Sequence, residues 1–202
     1  MVAKNKGIPQ HEPYAAGQQL AHDWFRRPTA VVAADLIGCY LCRRMEDGLL
    51  IKAQITETEA YLGVMDAACH AYGGRHTPRT SVMYQAAGTI YVYLIYGLHD
   101  LLNIVTTEQG QPEAVLIRAV ALEDQHAKTG AGPAKLTKLL DIDRRLNNQL
   151  LGEQSGLWVE YKDNTDIPVS VSRRIGVDYA GEAAHWHMRF YWTGHAAVSK
   201  LP

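Results

Sequence analysis

Cysteine is scarce in this chain: three residues in 202, Cys39, Cys42 and Cys69. An odd number cannot pair completely within one chain, so a disulfide scaffold is excluded and free thiols in a reducing compartment are predicted. Cys39-Tyr-Leu-Cys42 has the spacing of a metal knuckle. Its context reads as a strand, however, in which residues three apart point to opposite faces, so no metal site is expected. Net charge is equally scarce, a formal −1. A polycation that coats nucleic acid by charge alone is thereby excluded, and any such contact must be a local patch. The basic islands Arg26-Arg27, Arg43-Arg44, Arg75 to Arg79, Lys135 to Lys138, Arg144-Arg145 and Arg173-Arg174 are the candidates. Also missing are a membrane-spanning apolar run, a secretory signal (Met1 to Gln19 is polar and holds Pro9 and Pro13), internal repeats and a Gly-rich phosphate loop. These absences predict an intracellular, cytoplasmic protein with no membrane partner and no cofactor.

What is present is 47% hydrophobic content, enough for one sizeable core and cramped for two. A loose tail over residues 1–16 and a single domain over 17–202 are expected. Ala16 to Phe25 and Pro28 to Ile37 carry helical or buried patterns. A strand over Gly38 to Arg44 follows, and Glu46-Asp-Gly48 is a hairpin turn signal before a second strand from Leu49 to Thr58. Further strands are predicted between Gly88, which opens the tyrosine run, and Gly97, which closes it, and over Leu101 to Thr107, Ala114 to Val120, Leu157 to Tyr161, Val169 to Ile175 and Met188 to Trp192, with a helix over Ala134 to Leu140. The pattern is α+β: one mixed domain, a curved antiparallel sheet with peripheral helices and a protruding β-hairpin.

Two runs carry chemistry. In Ile51-Lys-Ala-Gln-Ile-Thr-Glu57-Thr-Glu59-Ala-Tyr61, period 2 sets Glu57 and Glu59 in line with Ile51, Ala53 and Ile55, so two carboxylates are predicted on a buried face. An acid there costs several kcal/mol, on the order of 2–7, unless it is paired or used. In Thr89-Ile-Tyr91-Val-Tyr93-Leu-Ile-Tyr96-Gly97, Tyr91 and Tyr93 share a face while Tyr96 adjoins a turn glycine. Taken alone, Glu59 also reads as a solvated strand end, Tyr91 and Tyr93 as ordinary sheet aromatics, and His70 as a satisfied buried histidine. Tyr96 resists such a reading, because a ring at a hairpin tip has no core to enter and is free to wedge between bases. Asn103, a polar residue inside the apolar run Leu101 to Val105, needs a partner or a ligand.

Glu57-Thr-Glu59-Ala-Tyr61-Leu-Gly, Asp66-Ala-Ala-Cys-His70, Thr77-Pro-Arg79, the tyrosine run through Gly97, and Asn103 together resemble the alkyladenine (3-methyladenine) DNA glycosylase family. Ala114-Val-Leu-Ile-Arg118-Ala, Gly132-Pro-Ala-Lys135-Leu and Arg174-Ile-Gly-Val-Asp-Tyr-Ala-Gly-Glu182 extend the resemblance over nearly everything from about residue 20 onward. It implies a monofunctional, cofactor-free hydrolase that starts base excision repair. By that resemblance the chain is expected to flip an alkylated or deaminated purine out of double-stranded DNA and to act as a monomer in the cytoplasm, at the nucleoid in a bacterium. By the same resemblance Glu59 is the general base, Arg118 holds the water or the backbone, and Tyr61 and Tyr93 sandwich the flipped base. His70 closes the stack and hydrogen-bonds the base, Asn103 collides with the exocyclic amine of guanine, and Tyr96 fills the gap left in the duplex.

Departures from the family pattern lie at His76 and Thr80, although Arg79 between them remains, and between Arg118 and Gly132. The segment Ala119 to Ala131 is short and carries Glu123 and Asp124, which predicts weaker or more salt-sensitive DNA binding. Two other readings differ in class. A noncatalytic damage-binding module has no use for Glu59, and a small-molecule hydrolase or transferase has no use for an exposed Tyr96.

Overall fold

In a computed structural model, residues 14–123, 125–162 and 166–200 are described. Most of the expected tail, residues 1–13, and the charge of Asp124 lie outside them. The Tyr14 ring lies 6.1 Å from that of Tyr161, while Ala15 to Gln19 are exposed. The predicted helical start is mostly extended: Gln19 bridges Glu160, Leu20 N–H bonds to Val159 carbonyl at 2.8 Å, and only His22–Phe25 forms a 3₁₀ turn. Gly17, at φ 82°, bends the chain away from helix.

Two α-helices among the described residues, α1 (Thr29–Asp35) and α2 (Pro133–Leu139), flank eight strands. The strands are β1 (Tyr40–Arg44), β2 (Leu50–Tyr61), β3 (Ile90–Ile95), β4 (His99–Thr106), β5 (Glu113–Ala121), β6 (Leu157–Glu160), β7 (Val169–Ser172) and β8 (Arg189–Trp192). All pair antiparallel in the order β3-β4-β5-β2-β1-β6, and β8 joins β2 to β7. The β1–β2 turn forms where Glu46-Asp-Gly48 predicts it, closed by Gly48 N–H to Met45 carbonyl at 2.9 Å. None of the helices is long and apolar enough to cross a membrane among the described residues.

The long strand β2 organises the sheet. One edge pairs with β5, and the other is shared between β1, along Leu50 to Gln54, and β8, along Glu57 to Glu59. This change of partner curls the sheet around α1 and α2. The core shared by these helices and the sheet holds Leu36, Ile37, Ile55, Ile104, Ile117 and Leu136, all fully buried, each stabilising by roughly 1.5–3 kcal/mol relative to exposure. A close approach fixes the chain after β5. A Cβ on Gly130 would lie 2.4 Å from the Val120 carbonyl oxygen, so only glycine admits the Val120 N–H bond to Gly130 carbonyl at 3.1 Å.

Candidate active site

The alternation expected through β2 breaks at a register shift between Ile55 and Thr58, where Ile55 faces Val120, Glu57 faces Ala119 and Thr58 faces Ile117. Ala53 and Ile55 pack in the main core as alternation predicts. Beyond the shift the core-facing positions are Ala60 and Thr58, whose hydroxyl donates to the Ala33 carbonyl of α1 at 2.7 Å. A one-residue irregularity exchanges the faces of a strand. Glu57 and Glu59 are thus buried, as expected, but away from Ile51, Ala53 and Ile55 rather than in line with them.

Both carboxylates are satisfied by a charge network. Glu59 Oε2 accepts from Tyr61 OH at 2.9 Å and from Arg118 Nη1 at 3.2 Å, and Oε1 accepts from the Ile175 N–H at 2.7 Å. Burial pushes the Glu59 carboxyl above its ordinary value, against the pull of Arg118, the Ile175 N–H and the Tyr61 hydroxyl. Glu57 Oε1 accepts from Arg118 Nε at 2.9 Å, Arg189 Nε at 2.8 Å and Ser199 Oγ at 2.9 Å, while Oε2 accepts from Ser199 N–H at 2.6 Å. Burial works against this charge too, but Arg118, the Ser199 N–H and Arg189 outweigh it and hold Glu57 below its ordinary value.

In front of Glu59 lies a cleft of about 350 Å³ lined by Tyr61, His70, Tyr91, Tyr93, Asn103 and Arg118, with Ile175, Tyr179 and Arg79 at its margins. Glu59 is fully buried behind this wall, and its three donors, Tyr61, Arg118 and Ile175, all line the cleft. The Tyr61 phenol is held protonated by burial and by Glu59, so it donates to that carboxylate. Asn103 sits between β3 and β5, paired with Tyr91 and Leu116, and its amide donates to the Tyr91 carbonyl at 3.2 Å.

His70 stands edge-on to Tyr93, with centroids 4.5 Å apart at 80°. Its Nε2 lies 3.3 Å from Arg79 Nη2, which can only donate, so Nε2 accepts and Nδ1 carries the proton donated to Tyr91 OH at 2.9 Å. Burial, then the charges of Arg79 and Arg75, lower the imidazole from 6.5 to about 4. The unfolded chain therefore takes up this proton near 6.5 and the folded chain only near 4. Stability is expected to fall as pH drops through that window, by up to about 3 kcal/mol. Thermal midpoints measured between pH 7 and 4, in the unaltered protein and in His70→Gln, check this: the variant should lose much of the slope, and parallel curves would refute it.

At the far end of β3, Tyr96 has φ 54° and Gly97 φ 68°, the successive left-handed pair of a type I′ turn. Leu98 N–H closes the turn on the Ile95 carbonyl at 3.1 Å. Tyr96 is 86% exposed and Leu98 77%. A bulky residue held at positive φ is strained, and here an exposed ring stands beside the cleft that it also lines.

Sequence reasoning assigned no role to Asp66 and Arg174, a fully buried bidentate pair at 2.5 and 2.8 Å. The Arg174 guanidinium also lies 4.8 Å from the Tyr61 ring centroid, backing the cleft wall. The predicted strand Val169 to Ile175 stops at Ser172, which frees Arg174 and Ile175 to turn into the site. Arg79, over the Tyr93 ring at 5.0 Å, was also unassigned. Their only sequence signal was membership in the quoted motifs. Most of the basic islands are spent internally: Arg26 on Asp23 and Glu108, Arg27 on Asp35, Arg43 on backbone carbonyls and Arg145 on Glu46, Asp141 and Asp143.

An aromatic slot of this size with a buried carboxylate behind one wall defines a protein that holds a flat ring and acts on a bond beside it. The family model described as "Methylpurine-DNA glycosylase (MPG)" matches residues 23–196. A protein of Psychrobacter cryohalolentis named "Putative 3-methyladenine DNA glycosylase" is 47% identical over 198 residues, 88% of this chain and 93% of the relative. Proteins of the same name from Bdellovibrio bacteriovorus and Desulfitobacterium hafniense are 43% and 37% identical, each over 90% of this chain and 98% of the relative. The chain belongs to the methylpurine-DNA glycosylase family, and is a DNA glycosylase of base excision repair.

Proposed function

We propose that this chain flips an alkylated or deaminated purine from duplex DNA into the cleft and hydrolyses its N-glycosidic bond in one step, with Glu59 as general base. The observation that carries this reading is the Glu59 carboxylate behind the slot, held by Arg118, Tyr61 and the Ile175 N–H. Glu59 takes a proton from water as the oxygen attacks C1′. The C1′–N bond breaks and its electrons stay with the purine, so a cationic alkylated base leaves as a neutral molecule. A carboxyl raised by burial is a stronger base than an ordinary one. Tyr61 and Tyr93 offer ring faces to the base, where a cationic ring gains about 0.5–2 kcal/mol over a neutral one. His70, held neutral, and Asn103 face the base edge, and Tyr96 fills the vacated space in the duplex. On this reading the chain acts as a monomer, and double-stranded DNA carrying damaged purines is the partner.

The test is base release under single-turnover conditions from a duplex holding one hypoxanthine or ethenoadenine, read as strand nicking after alkali. No nicking on any methylated or deaminated purine would refute the reading. Activity is expected to survive EDTA undiminished. Among the described residues no cluster of His, Cys, Asp or Glu suits a metal ion. Cys39, Cys42 and Cys69 are buried, and burial pushes their thiols up to about 11, 12 and 11. A loss in EDTA that zinc or magnesium restores would overturn that expectation.

A further inference from the structure

The sequence draws attention to two carboxylates in β2, and the proposed chemistry uses one. We infer that Glu57 is a positioning residue: with Arg189 as its second partner, it holds Arg118 by Nε so that only Nη1 reaches Glu59. The inference rests on the reading of Glu59 as the base.

The geometry is specific. Arg118 spans the two acids, 2.9 Å to Glu57 and 3.2 Å to Glu59, with both carboxylates fully buried. A guanidinium given whole to Glu59 would form a bidentate pair. Its division leaves the longer, single bond on the base. Glu57 is itself anchored from behind by Arg189 and by two donors of Ser199, 142 residues away in sequence. Ala197 and Val198 are buried beside it, so the end of the described chain forms the rear wall of the site. The charged and titratable groups facing Glu59 are Arg118 from β5, Arg189 paired opposite it on β8, and Tyr61 and Glu57 on its own strand. Arg174 stands behind Tyr61 with its charge matched by Asp66, and Tyr93 faces it from β3.

Two substitutions are expected to move the pH profile in opposite directions. Glu57→Gln removes a like charge and releases Arg118 to Glu59, which eases ionisation of the base. The acid limb of the single-turnover rate should move down by about 1 pH unit, and the plateau should fall by up to about tenfold as the base weakens. Arg189→Gln removes a positive charge near Glu59 and leaves Glu57 to draw Arg118 away. The acid limb should move up by about the same amount. Lesion-duplex affinity, measured at a pH on the plateau, should change less than threefold in both, because neither side chain lines the cleft. A purely structural role would lower the rate or the thermal midpoint without displacing the limb, and certainly not with opposite signs. Should one variant not fold, the other decides by its own sign. An unmoved limb in a folded variant overturns the inference, and a limb displaced the wrong way does so equally. If Glu59→Gln retains activity, the assignment of the base fails first; if Glu59→Gln is inactive while Glu57→Gln behaves like the unaltered protein, only this inference fails.

Discussion

Glu59→Gln is expected to release no base while still binding a lesion-containing duplex nearly as tightly as the unaltered protein. Loss of a positioned general base removes about 10²- to 10⁴-fold in rate. The site adds a stability consequence. Tyr61 OH, Arg118 Nη1 and the Ile175 N–H all donate to this one carboxylate. A glutamine has one accepting oxygen: its N–H₂ meets Arg118 Nη1, which cannot accept, if it takes the Oε2 side, and the Ile175 N–H if it takes the Oε1 side. A buried donor left facing a donor costs about 1–3 kcal/mol, so the thermal midpoint should drop while the fold persists. Single-turnover nicking and duplex affinity measured together decide the matter. Release within tenfold of the unaltered protein would remove Glu59 from the chemistry, and collapse of binding would make it a structural residue.

Tyr96 is expected to separate function from stability most sharply. Its ring is 86% exposed, so Tyr96→Ala should leave the thermal midpoint almost unmoved and weaken binding to a lesion duplex by about 1–3 kcal/mol, the worth of one base stacked on an aromatic ring. The penalty should shrink for a mispaired lesion, which is already half unstacked. The backbone makes a stronger demand. At φ 54° a tyrosine carries strain of about 1–2 kcal/mol that glycine does not, so Tyr96→Gly should raise the thermal midpoint or hold it level while excision falls. Stability and activity would then move in opposite directions from a single substitution. If the midpoint collapses instead, the ring is a packing element; if excision from the duplex is unchanged, the hairpin does not enter DNA.

The same hairpin shows how far local signals reach. Gly97 after an alternating run marks a turn, and the tip forms there, because turn chemistry depends on one or two residues and their allowed φ. Tyr61 could be read beside Glu59 for a similar reason, since period 2 holds over two residues whatever the rest of the strand does. It failed over six. Between Ile55 and Thr58 the register shift exchanged the faces of β2, and the two acids came to lie buried behind the cleft wall by a route that the alternation of Ile51, Ala53 and Ile55 does not describe.

Sequence alone therefore determined the order of the strands, the antiparallel α+β class, the turn at Gly48, the hairpin tip and six of the residues that line the slot, Tyr61, His70, Tyr93, Tyr96, Asn103 and Arg118, all of which follow from short-range periodicity, backbone preference and matched motifs. Tertiary structure decided the state of the charges. Glu57 meets Arg118 across 61 residues, Arg189 across 132 and Ser199 across 142, and Asp66 meets Arg174 across 108. Whether a buried carboxylate is neutralised, divided between arginines or raised as a base depends on which distant donors the fold brings within about 3 Å, where a charge-assisted bond forms. No window of sequence contains both ends of such a bond, and so the division of Arg118 between two acids became visible only once the sheet had closed around it.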